Sequence, residues 1–121
     1  MSLEIGDLQR SSYEVAVGHG FWEEGDLSAT DIYRMLIPQK LMLIVSEAAE
    51  ALDNVRDGTL EQNKVLWLTD KGKPEGFASE LADIIIRTLD LAEYLQIDME
   101  DVIRQKEAYN KTRPPKHGKT I

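Results

Sequence analysis

Cysteine is absent from this chain of 121 residues, so neither a disulfide nor a thiolate metal site is available to it. Histidine is almost absent too: His19 and His117 are the two, and neither follows a glutamate by three positions. Di-iron bundles, which rely on Glu-x-x-His pairs, therefore drop out as a reading. No run of about eighteen apolar residues occurs, so no segment reads as a membrane span. The opening Met-Ser-Leu-Glu-Ile-Gly-Asp has neither a basic patch nor an apolar stretch. The expectation is no signal peptide and a cytoplasmic location. Positive charge is also scarce, with Lys+Arg 14 against Asp+Glu 22 and a net charge of -8. That balance argues against nucleic-acid polymers and anionic membranes as partners. A phosphate substrate would need a divalent cation to approach such a surface.

What is present is globular composition, with 42% hydrophobic and 30% charged residues. The length predicts one domain over residues 1–121. A first helix is expected from about Asp7 to Val17, with Leu8, Ser12 and Val15 facing inward. Gly18 to Gly25 forms a breaker-rich loop holding Phe21 and Trp22. Ser28 or Thr30 can cap the next helix, which Pro38 should kink or divide. A strongly apolar helical pattern then runs from Gln39 to Arg56 and stops at Asp57-Gly58. The connection over 58–74 is long, and its Val65-Leu-Trp-Leu68 has to pack somewhere. A further helix is expected over 75–95, then a last one capped by Asp98 and reaching about Lys111. The tail beyond it is basic. No alternating run demands a sheet. The fold class is therefore all-α, a four-helix-type bundle. Because the Gln39–Leu52 stretch is apolar over more than one face, a homo-oligomer is expected to cover it.

The acidic residues carry the chemical signal. Acidic pairs three residues apart occur seven times in the sequence, where chance alone predicts roughly four. Spacing thus decides little and context decides more. Glu4/Asp7, Glu23/Asp26 and Asp98/Asp101 lie in polar or turn-like surroundings. Glu47/Glu50 and Glu80/Asp83 sit among apolar residues and alanines, where an unpartnered carboxylate is costly. At helical pitch Glu47 and Glu50 share a face with Lys40, Leu43 and Asn54, and Glu80 and Asp83 share one with Arg87. The opposite faces, Leu41, Val45, Ala48 and Leu52 on one helix and Leu81, Ile84, Ile85, Thr88 and Leu91 on the other, are expected to form core. Antiparallel packing of the two helices brings four carboxylates together, a donor set that suits Mg2+ or Mn2+. Lys106, Asn110 and Arg113 in the last helix and just beyond it are suited to phosphate oxygens. A solvated helix face is the alternative.

These residues resemble the MazG-like branch of the all-α nucleoside triphosphate pyrophosphohydrolases. The family pattern is Glu-x-x-Glu, a spacer, Glu-x-x-Asp, then a Lys and an Asn on the last helix. Here these are Glu47, Glu50, Glu80, Asp83, Lys106 and Asn110. The strings Ser46-Glu-Ala-Ala-Glu-Ala-Leu52, Lys73-Pro-Glu-Gly-Phe77, Glu80-Leu-Ala-Asp83 and Tyr109-Asn-Lys-Thr-Arg-Pro114 look similar to the same group. The resemblance runs from about Gly20 to the C-terminus, with a spacer on the long side. It implies magnesium-dependent hydrolysis of a (d)NTP to the (d)NMP and pyrophosphate, in nucleotide-pool house-cleaning. It also implies dimers, or tetramers built as dimers of dimers. The quartet would serve as metal ligands and catalytic groups, with Lys106, Asn110 and Arg113 on phosphates. Which carboxylate orients the water stays open. Trp22 and Phe21, with His19 nearby, are candidates for stacking on a base, as is Trp67; filling core or an interface is the alternative. Lys40 can bind phosphate or pair with a carboxylate. The rival from another class is a catalytically silent helical dimer that binds nucleotide or a protein.

Overall fold

The computed structural model describes residues 3–22, 25 and 27–115. The basic tail past residue 115, with His117, and the Glu23/Asp26 pair lie outside the described residues. The chain is mostly helical: α1 (Ile5–Gly18), α2 (Ala29–Asp31), α3 (Ile37–Arg56), α4 (Phe77–Tyr94) and α5 (Met99–Lys111). Local chemistry accounts for most boundaries. The Ser28 side chain accepts the Asp31 amide at 3.1 Å, and that of Asp98 accepts the Asp101 amide at 3.1 Å. α4 closes with Gln96 at φ 58°. Its amide reaches the Glu93 carbonyl at 3.0 Å and the Ile97 amide reaches Ala92 at 2.9 Å, the paired bonds of a Schellman ending.

Of the kink or division expected at Pro38, the division does not occur. One π-helical stretch, Ile32–Leu36, runs directly into α3, and the Ile37 amide bonds the Ile32 carbonyl across it. A wider turn there places Pro38 in the first turn of α3, where no amide hydrogen is needed.

α4 is the central element, packing against α3 on one side and α1 on the other, while α5 rests on α1. Buried Gln9 ties these layers together. Its amide donates to Glu93 Oε1 at 2.9 Å and to the Ile97 carbonyl at 2.7 Å, and its oxygen accepts the Met99 amide at 3.3 Å. The buried apolar core among the described residues is small: Leu36, Ala51, Leu89, Leu91 and Ala92.

Several inward assignments are corrected by the structure. Ser12 is buried as expected, but Val15 faces solvent and Gln9 takes the other buried position of α1. Leu41, Val45, Ala48 and Leu52 on α3 are exposed, Val45 at 52%, as are Leu81 and Ile85 on α4. Their stripe is apolar, but no element among the described residues covers it. The long connection carries a two-residue antiparallel ladder, β1 (Trp67–Leu68) with β2 (Pro74–Glu75), pairing Trp67 with Glu75 and Leu68 with Pro74. Short ladders leave no alternation to read in a sequence. Val65 to Leu68 were expected to pack, yet all four stay exposed, Leu68 at 67%.

Candidate metal centre

Helical spacing puts Glu47, Glu50 and Asn54 on the α3 face that meets α4. Glu80, Asp83 and Arg87 form the answering face of α4, one turn apart. Glu47 pairs with Arg87, while Asn54 shares a cleft with Gly76 and Ser79, so the helices run antiparallel. The cleft holds about 460 Å³. Glu47, Glu50, Asn54, Asp57 and Thr59 form one wall, and Lys73 to Gly76, Ser79, Glu80 and Asp83 form the other.

Glu47, Glu80 and Asp83 each bring a carboxylate oxygen within 4.8 Å of the others. The Glu47 side chain is 8% exposed, and its Oε1 accepts Arg87 Nε at 2.8 Å. Its other oxygen, Oε2, is buried without a hydrogen-bond partner, and so is Glu80 Oε2. Buried orphan acceptors of this kind are rare in folded proteins and call for an explanation. Glu50 lines the same cleft but is exposed and stands outside the trio.

The electrostatics separate the three. Burial, then the neighbouring carboxylates Glu47 and Glu50, push the Glu80 pKa up to about 7. Burial and the charge of Glu47 also raise Asp83, against the pull of Arg87 and Lys73. Burial would raise Glu47 as well, but the hydrogen bond from Arg87, then the neighbouring Glu80, the Arg87 charge and Glu50, hold it below the usual carboxylate range. Without a cation, therefore, Glu80 holds its proton to a higher pH than Glu47 does. Three oxygen ligands, two with orphan lone pairs, fit a hard divalent cation, which would take the place of that proton.

The remaining sequence candidates are not brought into this cleft. Trp22 stacks on Tyr94 with centroids 4.3 Å apart and rings 8° from parallel. Its Nε1 donates to Asp90 at 2.7 Å. Lys40 lies 4.2 Å over the Trp22 ring and donates to the Phe21 carbonyl at 2.6 Å. This cluster pins the loop after α1 to α3 and α4. Lys106 and Asn110 are exposed on α5, and Arg113 sits just beyond, its guanidinium 5.6 Å from the Tyr109 ring. None of the three lines the cleft. Phe21 and His19 line a different hollow of about 210 Å³ between α1 and α4, with Ser12, Asp90, Arg87 and Asp83. Asp83 borders both spaces.

No family model, curated protein or solved structure matches this chain.

The cleft wall holds residues that sequence reading passed over. Asp57 Oδ1 accepts the Thr59 amide at 2.9 Å and hydroxyl at 2.8 Å, closing α3 with a polar rim. Lys73 arrives through the β1–β2 hairpin, and no periodicity announces it. Gly76 roots that hairpin, with φ 112° and ψ 176°, a region essentially reserved for glycine. A Cβ there would lie 2.5 Å from the Val65 carbonyl oxygen and 2.9 Å from the Trp67 ring. Gly76→Ala should cost about 2 kcal/mol, read as a lower melting temperature. Unchanged melting would mean that the hairpin root is not held this tightly. A larger hollow of about 620 Å³ between α1 and the α4–α5 turn is lined by Gln9, Arg10, Tyr13 and Glu93. Its buried amide, Gln9, is fully bonded, so it offers no orphan group to a ligand.

Proposed function

We propose that this chain is an all-α, MazG-like nucleoside triphosphate pyrophosphohydrolase that works with Mg2+ and accepts Mn2+. The observation that carries the reading is the pair of orphaned buried oxygens on Glu47 and Glu80, beside Asp83, in an open cleft. A silent binding module could neutralise these carboxylates more simply, with apolar or amide side chains. Glu47, Glu80 and Asp83 would hold the cation. When bound, it neutralises phosphate charge and lowers the pKa of water. Glu50, exposed at the cleft wall, would take the proton of the water that breaks the α–β anhydride. Arg87 keeps Glu47 ionised and turned toward the cluster. The adjoining hollow with Phe21 and His19 is the candidate seat for the base, since Asp83 joins it to the cleft. Trp22 bonds Asp90, one of the residues that line that hollow. The role is nucleotide-pool house-cleaning.

The test is product analysis after incubation with each common NTP and dNTP, in magnesium and in EDTA. Magnesium-dependent monophosphate plus pyrophosphate supports the reading. Free phosphate alone overturns it, and nucleotide binding without turnover would point to the silent fold.

The reading includes a homo-oligomer, a dimer or a dimer of dimers. Leu41, Val45, Ala48, Leu52 and Val55 recur at helical spacing on α3 and continue into Leu81 and Ile85 of α4, all exposed. Burying that stripe against a second copy gives the small core the apolar area it lacks. Lys106, Asn110 and Arg113 then act on phosphate from a partner's α5. Light scattering at micromolar concentration should give at least twice the 13.7 kDa chain mass. A sharp monomeric mass would sink the idea.

No helix among the described residues is long and apolar enough to cross a membrane.

A further inference from the structure

The cleft has a charge problem that the trio and one cation do not solve. Its lining includes six carboxylates, Glu47, Glu50, Asp57, Glu75, Glu80 and Asp83, and one cationic side chain, Lys73. A triphosphate brings about four more negative charges, and a single divalent ion offsets two of them. The pyrophosphate end, which leaves, needs its own positive partner if charge is to develop there.

Lys73 is built into position. The hairpin tip is fixed by the Thr69 amide to the Lys73 carbonyl at 2.9 Å, the Gly72 amide to the Thr69 carbonyl at 2.8 Å, and the Lys73 amide to Thr69 Oγ1 at 3.1 Å. Gly72, at φ 81°, makes that turn. At the root, the Ala78 amide bonds the Val65 carbonyl at 3.0 Å, and Gly76 lies against Trp67. The backbone of Lys73 is thus set by the hairpin, while its side chain is 73% exposed. Nζ rests 3.6 Å from Glu75 Oε1, and its charge is felt at Asp83. An exposed ion pair at this separation is worth little, so exchanging Glu75 for a phosphate costs little. A short swing of a flexible ammonium is all the exchange requires.

We propose that Lys73 binds the polyphosphate end of the substrate, with Glu75 holding its ammonium at the cleft wall until phosphate displaces it. This rests on the proposed reading of the cleft as a nucleotide site. It assigns the phosphate contact within one chain to the hairpin, which the sequence pattern had left to α5.

The experiment is calorimetric titration of inorganic tripolyphosphate, in magnesium, into the wild-type protein and Lys73→Ala, Lys73→Arg and Glu75→Gln variants. Mn2+ alone is titrated in parallel, and steady-state nucleotide hydrolysis is measured for each. Lys73→Ala should weaken tripolyphosphate at least tenfold and raise KM similarly, with Mn2+ affinity within twofold and melting unchanged. Lys73→Arg should return most of that affinity, and Glu75→Gln should tighten binding about twofold. Wild-type affinity in Lys73→Ala overturns the proposal, as does Mn2+ binding lost in step with tripolyphosphate. Lysine-dependent tripolyphosphate binding without any nucleotide turnover would keep Lys73 and discard the hydrolase. No tripolyphosphate binding by the wild type would discard both.

Discussion

Glu80→Gln should lower kcat/KM about a thousandfold, roughly 4 kcal/mol of transition-state stabilisation, while making the metal-free protein more stable. The two effects have one source. Glu80 is where burial and like charge oppose ionisation most, with a pKa pushed up to about 7 from 4.5. Below pH 4.5 the folded and unfolded chains both hold this proton. Between 4.5 and about 7 the unfolded chain releases it and the folded chain does not, so rising pH favours unfolding. Above 7 the penalty is complete. Glutamine has nearly the same shape and no charge to desolvate, so it removes that slope. Solvent access to the cleft discounts the gain to about 1 kcal/mol, or about 4 °C in melting temperature for a chain of this size. Melting in EDTA at pH 5 and pH 8 should therefore separate the variant from wild type only at the higher pH. Magnesium should raise the melting temperature of wild type and leave the variant almost where it was. A variant that hydrolyses nucleotide at the normal rate would remove Glu80 from the site.

Much of this arrangement is local and so could be read from the sequence. Ser28, Asp98 and Asp57-Gly58 act on backbone groups within four residues, and they set helix ends where expected. Glu47 with Glu50, and Glu80 with Asp83, are each one helical turn apart, so their faces followed from spacing once helices were assumed. What spacing could not say was how deep each would lie. Glu47 is buried against Arg87 of α4, and Glu50 is exposed. Groups joined across the chain were illegible. Gln9 meets Glu93 and Ile97 over more than eighty residues, and Lys73 reaches the cleft only through a hairpin too short to leave a pattern. The apolar stripe on α3 taught a different lesson. Periodicity marks a face as apolar without naming what covers it, and here no described part of the chain does.

The exposed stripe and the acidic cleft draw on the same α3–α4 pair, and that sharing has a physical logic. A helix pair that spends one face on carboxylates has fewer positions left for core. Only Ala51 of α3 and Leu89, Leu91 and Ala92 of α4 are apolar and buried. On the proposed reading, further stability comes from outside the single chain, from a second copy against the stripe and a cation among the carboxylates. Both bind the folded form alone, and each would raise stability by mass action.

Arg87→Ala tests how far the cation and the guanidinium do the same work. The Glu47 side chain is 8% exposed and depends on Arg87 Nε at 2.8 Å for its one hydrogen bond from a cationic side chain. Removing one partner of a buried pair commonly costs 3–5 kcal/mol. Arg87 is 30% exposed, so water can partly replace it, and about 2–3 kcal/mol is expected here. The loss should grow as pH rises through the ordinary carboxylate range, since Arg87 gives the largest pull that holds the Glu47 pKa down and without it the pKa rises. Magnesium supplies positive charge at the same cluster. The deficit should therefore shrink by about half in magnesium relative to EDTA, while metal affinity falls about tenfold to a hundredfold. Arg87→Lys keeps a charge but not the fixed geometry, and should fall between. Adding Glu47→Gln to Arg87→Ala removes the stranded carboxylate and should recover stability without recovering activity. Thermal melts and Mn2+ titrations of the four proteins measure all of this. An equal loss in EDTA and magnesium would mean that Arg87 acts through packing against Phe21, 5.9 Å away, and not through Glu47.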